Sequence, residues 1–151
     1  MIQRKSNCFI LFGSILLVIL IGSTTFVDSF GITDSNLVKS TNGESLDVRV
    51  SPSPEVINTN DQVKFGIDFL QPGTENIQVH VDYDFQISSN GEEIFSAAKL
   101  TGQPLLHTAE GSVSIPFTFS SPGVYSINIP VMGINFIPIN PENAKFEFTV
   151  K

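Results

Sequence analysis

Cysteine, tryptophan and positive charge are nearly missing from this chain. Its one cysteine is Cys8, so nothing beyond that position can form an internal disulfide or supply a thiolate nucleophile. Many exported domains lean on disulfides; a domain in this chain has to stand on its core alone. Type-1 copper is excluded too. That site needs a cysteine thiolate beside two histidines and an axial methionine, and the chain beyond Val27 offers only His80, His107 and Met132. Lysine and arginine together number eight against fifteen acidic residues, a net charge of −7. Nucleic acid requires a basic patch, so the acidic balance argues against it as a partner, and against docking on anionic lipid. Neither a Gly-x-Ser-x-Gly motif nor an N-x-Ser/Thr acceptor occurs. A serine site could be drawn from His107 and Glu110, yet no spacing singles out a nucleophile. The expectation is a protein that is not an enzyme and carries no cofactor.

What is present begins at the N-terminus. Arg4 and Lys5 precede an uncharged run from Ser6 to Val27, strongly apolar from Phe9 to Ile21, and the first acidic residue is Asp28. That order reads as an export segment. The stretch Cys8 to Gly22 has 15 residues, the length of a signal-peptide core, whereas a spanning helix needs ~20. Cleavage is expected after Ser29, or after Ser23. Counted on to Val27, the run reaches 20 uncharged residues, enough to span with Arg4 and Lys5 on the cytoplasmic side. Signal peptide and uncleaved anchor both stand, over residues 1–29. Cys8 precedes the apolar core, so lipoprotein processing is not expected. The remainder would be extracytoplasmic, secreted or held on the outer face of the cell membrane through residues 8–27.

Residues 30–151 carry six basic and fourteen acidic side chains, a net −8. Residues 30–45 are polar and read as a linker. From Leu46 the pattern changes to period-two alternation, the mark of half-buried strands. Short strands are expected around Leu46–Val50, Val63–Phe69, Val113–Phe119, Tyr125–Val131 and Phe146–Val150. The longest is expected over Ile77–Ile87, returning through an Asn90-Gly91 hairpin. Pro116 points its strand to an edge or bulge, and Ser51-Pro52-Ser53-Pro54 marks an edge kink or a switch between sheets. Thr101–Ala109 reads as irregular and Gly133–Asn143 as a loop or broken strand. About seven strands without an amphipathic helix predict an all-β, immunoglobulin-like antiparallel β-sandwich over residues 46–151, behind an N-terminal hydrophobic helix. Of the thirteen phenylalanines, nine fall in this span, most on inner faces, and would fill its core.

The run Ser121-Pro122-Gly123-Val124-Tyr125-Ser126-Ile127 resembles the turn and strand F of immunoglobulin-like, fibronectin-like and PKD-like domains. The resemblance implies that Tyr125 is a corner tyrosine whose hydroxyl caps nearby backbone. Tyr83 through Gln103, His107 to Ser112 and Gly133 to Ile139 resemble small exported β-sandwich proteins of archaeal cell surfaces. This likeness covers residues 46–151 and implies a surface module of unassigned activity. Those proteins often continue into a C-terminal sorting segment. This sequence ends at Lys151, so anchoring is expected from the N-terminus.

Two groups of residues qualify as sites. On a regular strand His80, Asp82 and Asp84 share one face at ~6.5–7 Å spacing, and carboxylates with an imidazole suit Zn²⁺, Cu²⁺ or Mn²⁺. The competing expectation is a solvent-facing polar stripe, since Gln78 and Gln86 continue it. The second group is Ile134, Phe136 and Ile137. Either these cover the end of the core, or they are exposed as a patch for a surface protein or polymer.

Overall fold

The computed structural model describes residues 37–151. The export segment and the first part of the expected linker lie outside the described residues. Among the described residues no helix is long and apolar enough to cross a membrane.

The strands are β1 (Leu37–Ser40), β2 (Asp47–Ser53), β3 (Gln62–Leu70), β4 (Val81–Tyr83), β5 (Gln86–Ser89) and β6 (Glu92–Ser96). One helical turn follows, α1 (Ala97–Leu100), and then β7 (Leu106–Thr108), β8 (Ser112–Thr118), β9 (Gly123–Ile134) and β10 (Ile137–Val150). The fold is all-β, built from two antiparallel sheets. One runs β1-β2-β3-β8. In the other, β9 pairs with β10 along one edge and with β4 and β5, in succession, along the other. Outside these lie β7 against β4 and β6 against β5.

Alternation decides which side chains go inside. Val63, Phe65, Ile67 and Phe69 of β3 are buried, as are Tyr125, Ile127, Ile129 and Val131 of β9. Both sets belong to one continuous core with Phe85, Phe119 and Phe146. Phenylalanines are its largest side chains and pack as a cluster among valine and isoleucine. Phe65 lies 5.5 Å from Phe85 and 5.6 Å from Phe148, and Phe119 lies 4.7 Å from Tyr125, ring centre to ring centre. These separations fall in the range where tilted and edge-on aromatic pairs attract.

Several expected turns are present. Asn90 and Gly91 both have positive φ and close the β5–β6 hairpin. Pro116 sits in β8, an edge strand, where its missing N–H costs no ladder bond. Among the described residues, the pairing of β1 with β2 stops at Val50, and Pro52 lies beyond it.

Two expectations need correction, and a third is resolved. The folded part reaches back at least to Leu37, because β1 pairs with β2 and Thr41 is buried. Three of the four β1 side chains face water, so the segment lacks the alternation that would reveal it. The expected strand Ile77–Ile87 is broken into β4 and β5. Asp84 N–H donates to Pro130 O at 3.0 Å, but Pro130 has no N–H to return, and the ladder lapses opposite it. Gly133–Asn143 takes the second of its two expected forms, a broken strand: β9 and β10 form one long hairpin, with a register shift between Pro138 and Glu142 that takes up the prolines.

The β1–β2 turn is tied to β10 by a carboxylate. Burial by itself would push the Glu142 carboxyl up. Hydrogen bonds from Ser45 Oγ (2.6 Å), Thr41 Oγ1 (2.5 Å) and Ser45 N–H (3.2 Å) together hold it below its usual value of 4.5. Asp47 is lowered likewise by Ser40 Oγ and the Gly73 N–H. Both groups are more acidic folded than unfolded. Their contribution is therefore complete above their unfolded pKa values and is lost as pH falls through the folded ones. Ser45→Ala should cost about 1 kcal/mol at pH 7. That difference should shrink as denaturation is repeated at successively lower pH below 4.5. A cost independent of pH would show that the Glu142 contact does not carry it.

Candidate functional site

The chemistry-bearing side chains gather where β4 lies between β7 and β9. In register, Asp82 stands opposite His107 on one side and Gly133 on the other. Val81 and Tyr83 point into the core, so Asp82 takes the outer face. Burial pushes the Tyr83 hydroxyl up to about 12, with neighbouring Asp84 adding to the shift, so it stays protonated at neutral pH. His107 Nδ1 lies 2.7 Å from Asp82 Oδ1. Gly133 makes room for the carboxylate: a Cβ there would stand 2.4 Å from Asp82 Oδ2.

His80 precedes β4 in a left-handed conformation, φ +54°. Its backbone is fastened on both sides, by N–H to Ala109 O (3.4 Å) and by Asn135 N–H to its own carbonyl (2.8 Å). The kink turns its ring toward His107, with His80 Nδ1 3.5 Å from His107 Nε2. Above them stands the β9–β10 turn, Asn135-Phe136, in which both residues have positive φ (52° and 65°). The Phe136 ring lies 4.2 Å from the His80 ring and 5.5 Å from His107, ring centre to ring centre. Gln78 Nε2 donates to Asn135 Oδ1 at 2.9 Å and braces the turn.

Of the expected trio, the structure brings His80 and Asp82 to one place and sends Asp84 elsewhere. Asp84 is buried, 5% exposed. It accepts hydrogen bonds from Phe85 N–H (2.7 Å), Ala98 N–H (2.9 Å), Ser96 Oγ (2.7 Å) and Gln86 Nε2 (3.1 Å). These saturate the carboxylate and tie the β4–β5 break to the start of α1. Among the described residues no three of His, Cys, Asp and Glu converge as metal ligands. A shallow cleft of about 360 Å³ lies beside Asp84, lined also by Gln86, Lys99, Pro104 and Met132.

His107 is absent from the expected metal trio and enters the sequence reading as a site candidate only beside Glu110. It sits in β7, not in an irregular loop, and its acid is Asp82 rather than Glu110. With three residues, β7 is too short to show alternation, and Gly102 and Pro104 just before it hide its start. The patch residues separate. Phe136 and Ile137 are exposed, 70% and 65%. Ile134 packs against the core. Tyr125 donates its hydroxyl to Ser121 O at 2.8 Å, four residues upstream.

Comparison with protein-family models, curated proteins and solved structures finds no match to this chain.

Proposed function

We propose that the chain is an exported, non-enzymatic β-sandwich module that binds a surface protein on the outer side of the cell membrane, where it is either anchored or released. Immunoglobulin-like architecture is part of this reading. It is supported by the sheet orders β2-β3-β8 and β10-β9-β4/β5, and by the Tyr125–Ser121 bond at a strand-entry corner. The resemblance to exported archaeal sandwich proteins and the export segment at residues 1–29 favour the location.

The observation that carries the reading is Phe136. A two-residue hairpin turn with both φ positive favours Asn-Gly, and this chain has Asn-Phe. A bulky side chain held left-handed costs roughly 1–2 kcal/mol. It is spent on a ring that is mostly in water, beside exposed Ile137. Strain of this kind at an exposed apolar tip fits an anchor for a partner.

Phe136→Gly separates the possibilities. Stability should be unchanged or up to about 1 kcal/mol higher. A photo-crosslinking side chain at position 136 of the full chain, expressed in its own membranes, should give a discrete protease-sensitive adduct. The same group at exposed Val124 should not. A protease-resistant adduct would make the partner a polymer. Equal adducts at 136 and 124, or a Phe136→Gly protein that unfolds, would overturn the assignment.

A further inference from the structure

We propose that His80 Nδ1 and His107 Nε2 together bind one transition-metal ion, Cu²⁺ or Zn²⁺, with Asp82 setting the orientation of His107. The argument starts from protons. The Asp82 carboxylate only accepts, so at 2.7 Å the proton of a neutral His107 lies on Nδ1 and its Nε2 presents a lone pair. That lone pair faces His80 Nδ1 at 3.5 Å, longer than a good hydrogen bond. With the His80 proton on Nε2, its Nδ1 offers a second lone pair, and the two nitrogens then face a point where a cation can sit. Two Zn–N bonds of ~2.0–2.1 Å at a tetrahedral angle set their nitrogens roughly 3.3–3.4 Å apart. The observed pair is therefore already close to bridging distance. A carboxylate behind a metal-binding imidazole is the arrangement that fixes its tautomer and raises its basicity. Phe136 lies against the pair, 4.2 Å from the His80 ring and 5.5 Å from the His107 ring. The left-handed backbone at His80 is what turns the first ring inward. Water would complete the coordination. This site differs from the trio that the strand pattern suggested: His107 replaces Asp84, and Asp82 stands behind a ligand instead of being one. It needs no surface partner, so its test is separate from the crosslinking experiment.

The chain has two histidines in all, so imidazole NMR signals report on this site alone. Full-length protein carrying Cys8→Ser, which removes the competing thiol, is titrated with Zn²⁺ by NMR and with Cu²⁺ by calorimetry. One ion per chain with a micromolar dissociation constant is expected, with both imidazoles shifted by Zn²⁺. Asp82→Asn should weaken binding about 10–100-fold. His107→Ala and His80→Asn should abolish it; asparagine tolerates the left-handed backbone, and the melting temperature of each variant checks its fold. Wild-type affinity equal to that of the double histidine variant would overturn the site. So would imidazole signals that move with pH but not with Zn²⁺, which would mean that a proton alone occupies the gap. Unaltered binding by Asp82→Asn would do the same.

Discussion

Replacing Phe65 with alanine is expected to destabilise the folded domain by about 3–5 kcal/mol, the range for emptying a large aromatic site in a core. Phe65 is 1% exposed. Its ring meets Phe85, Phe119 and Phe148, at 5.5, 6.2 and 5.6 Å between centres. Phe65 comes from β3 of one sheet and Phe148 from β10 of the other. Collapse around the void would therefore have to move two hydrogen-bonded layers, and little relaxation is available. Domains of this kind have only about 5–15 kcal/mol of stability in total. The loss should show in urea denaturation as a lower midpoint at similar slope. A cost below about 1 kcal/mol would mean that the faces of the two sheets do not meet at this ring.

Gly111→Ala should be nearly as damaging, for a backbone reason. Gly111 has φ +76°, and a Cβ there would lie 2.1 Å from Gln78 O and 2.5 Å from Ile77 Cγ2. The left-handed conformation costs a non-glycine residue roughly 1–2 kcal/mol. Forcing a methyl into a packed site typically adds about 1–3 kcal/mol. A backbone carbonyl cannot swing aside as a side chain can, and the turn is pinned by Phe69 N–H to Gly111 O (2.8 Å) and Gly111 N–H to Thr108 Oγ1 (3.1 Å). A loss of about 2–5 kcal/mol is expected from these two costs. The displaced segment, Ile77-Gln78, leads straight into His80. A folded remnant of this variant should therefore also lose Zn²⁺-dependent shifts at both imidazoles. Gly73→Ala is the control, since nothing stands within 4 Å of a Cβ there, although φ is again positive at +69°. It should cost the backbone term alone. Equal losses for the two variants would show that the contact with Gln78 O contributes nothing.

The parts of the core that β3 and β9 supply were legible residue by residue. Val63-x-Phe65-x-Ile67-x-Phe69 and Tyr125-x-Ile127-x-Ile129-x-Val131 alternate without a break, and every apolar member is buried. Alternation is a local property, because consecutive side chains leave opposite faces of a strand. It failed where non-local hydrogen bonding intervened. Nothing within Ile77–Ile87 announces that Pro130, more than forty residues on, withholds a ladder bond at Asp84. Nor does local pattern distinguish Asp84 from Asp82: both sit on the polar parity of the stripe. One is buried under four hydrogen bonds and the other faces His107.

The residues at the candidate site follow the same division. Composition alone limits the chain to two histidines, leaves everything after Cys8 without a thiol, and sets its acidic balance. Those facts leave no cysteine ligand for type-1 copper after Cys8 and weigh against nucleic acid before any fold is known. Period-two patterning then determines an all-β chain and most of its core, because burying one face of a strand depends only on the order of residues along it. Tertiary structure alone decided that His107 stands across from Asp82, that a left-handed kink delivers His80 to the same place, and that Phe136 caps them from a hairpin turn. His107 is 25 residues from Asp82 and 27 from His80, and Phe136 is 56 from His80. Sheet register brings them together, and register is set by pairings between strands that no single stretch of the chain contains.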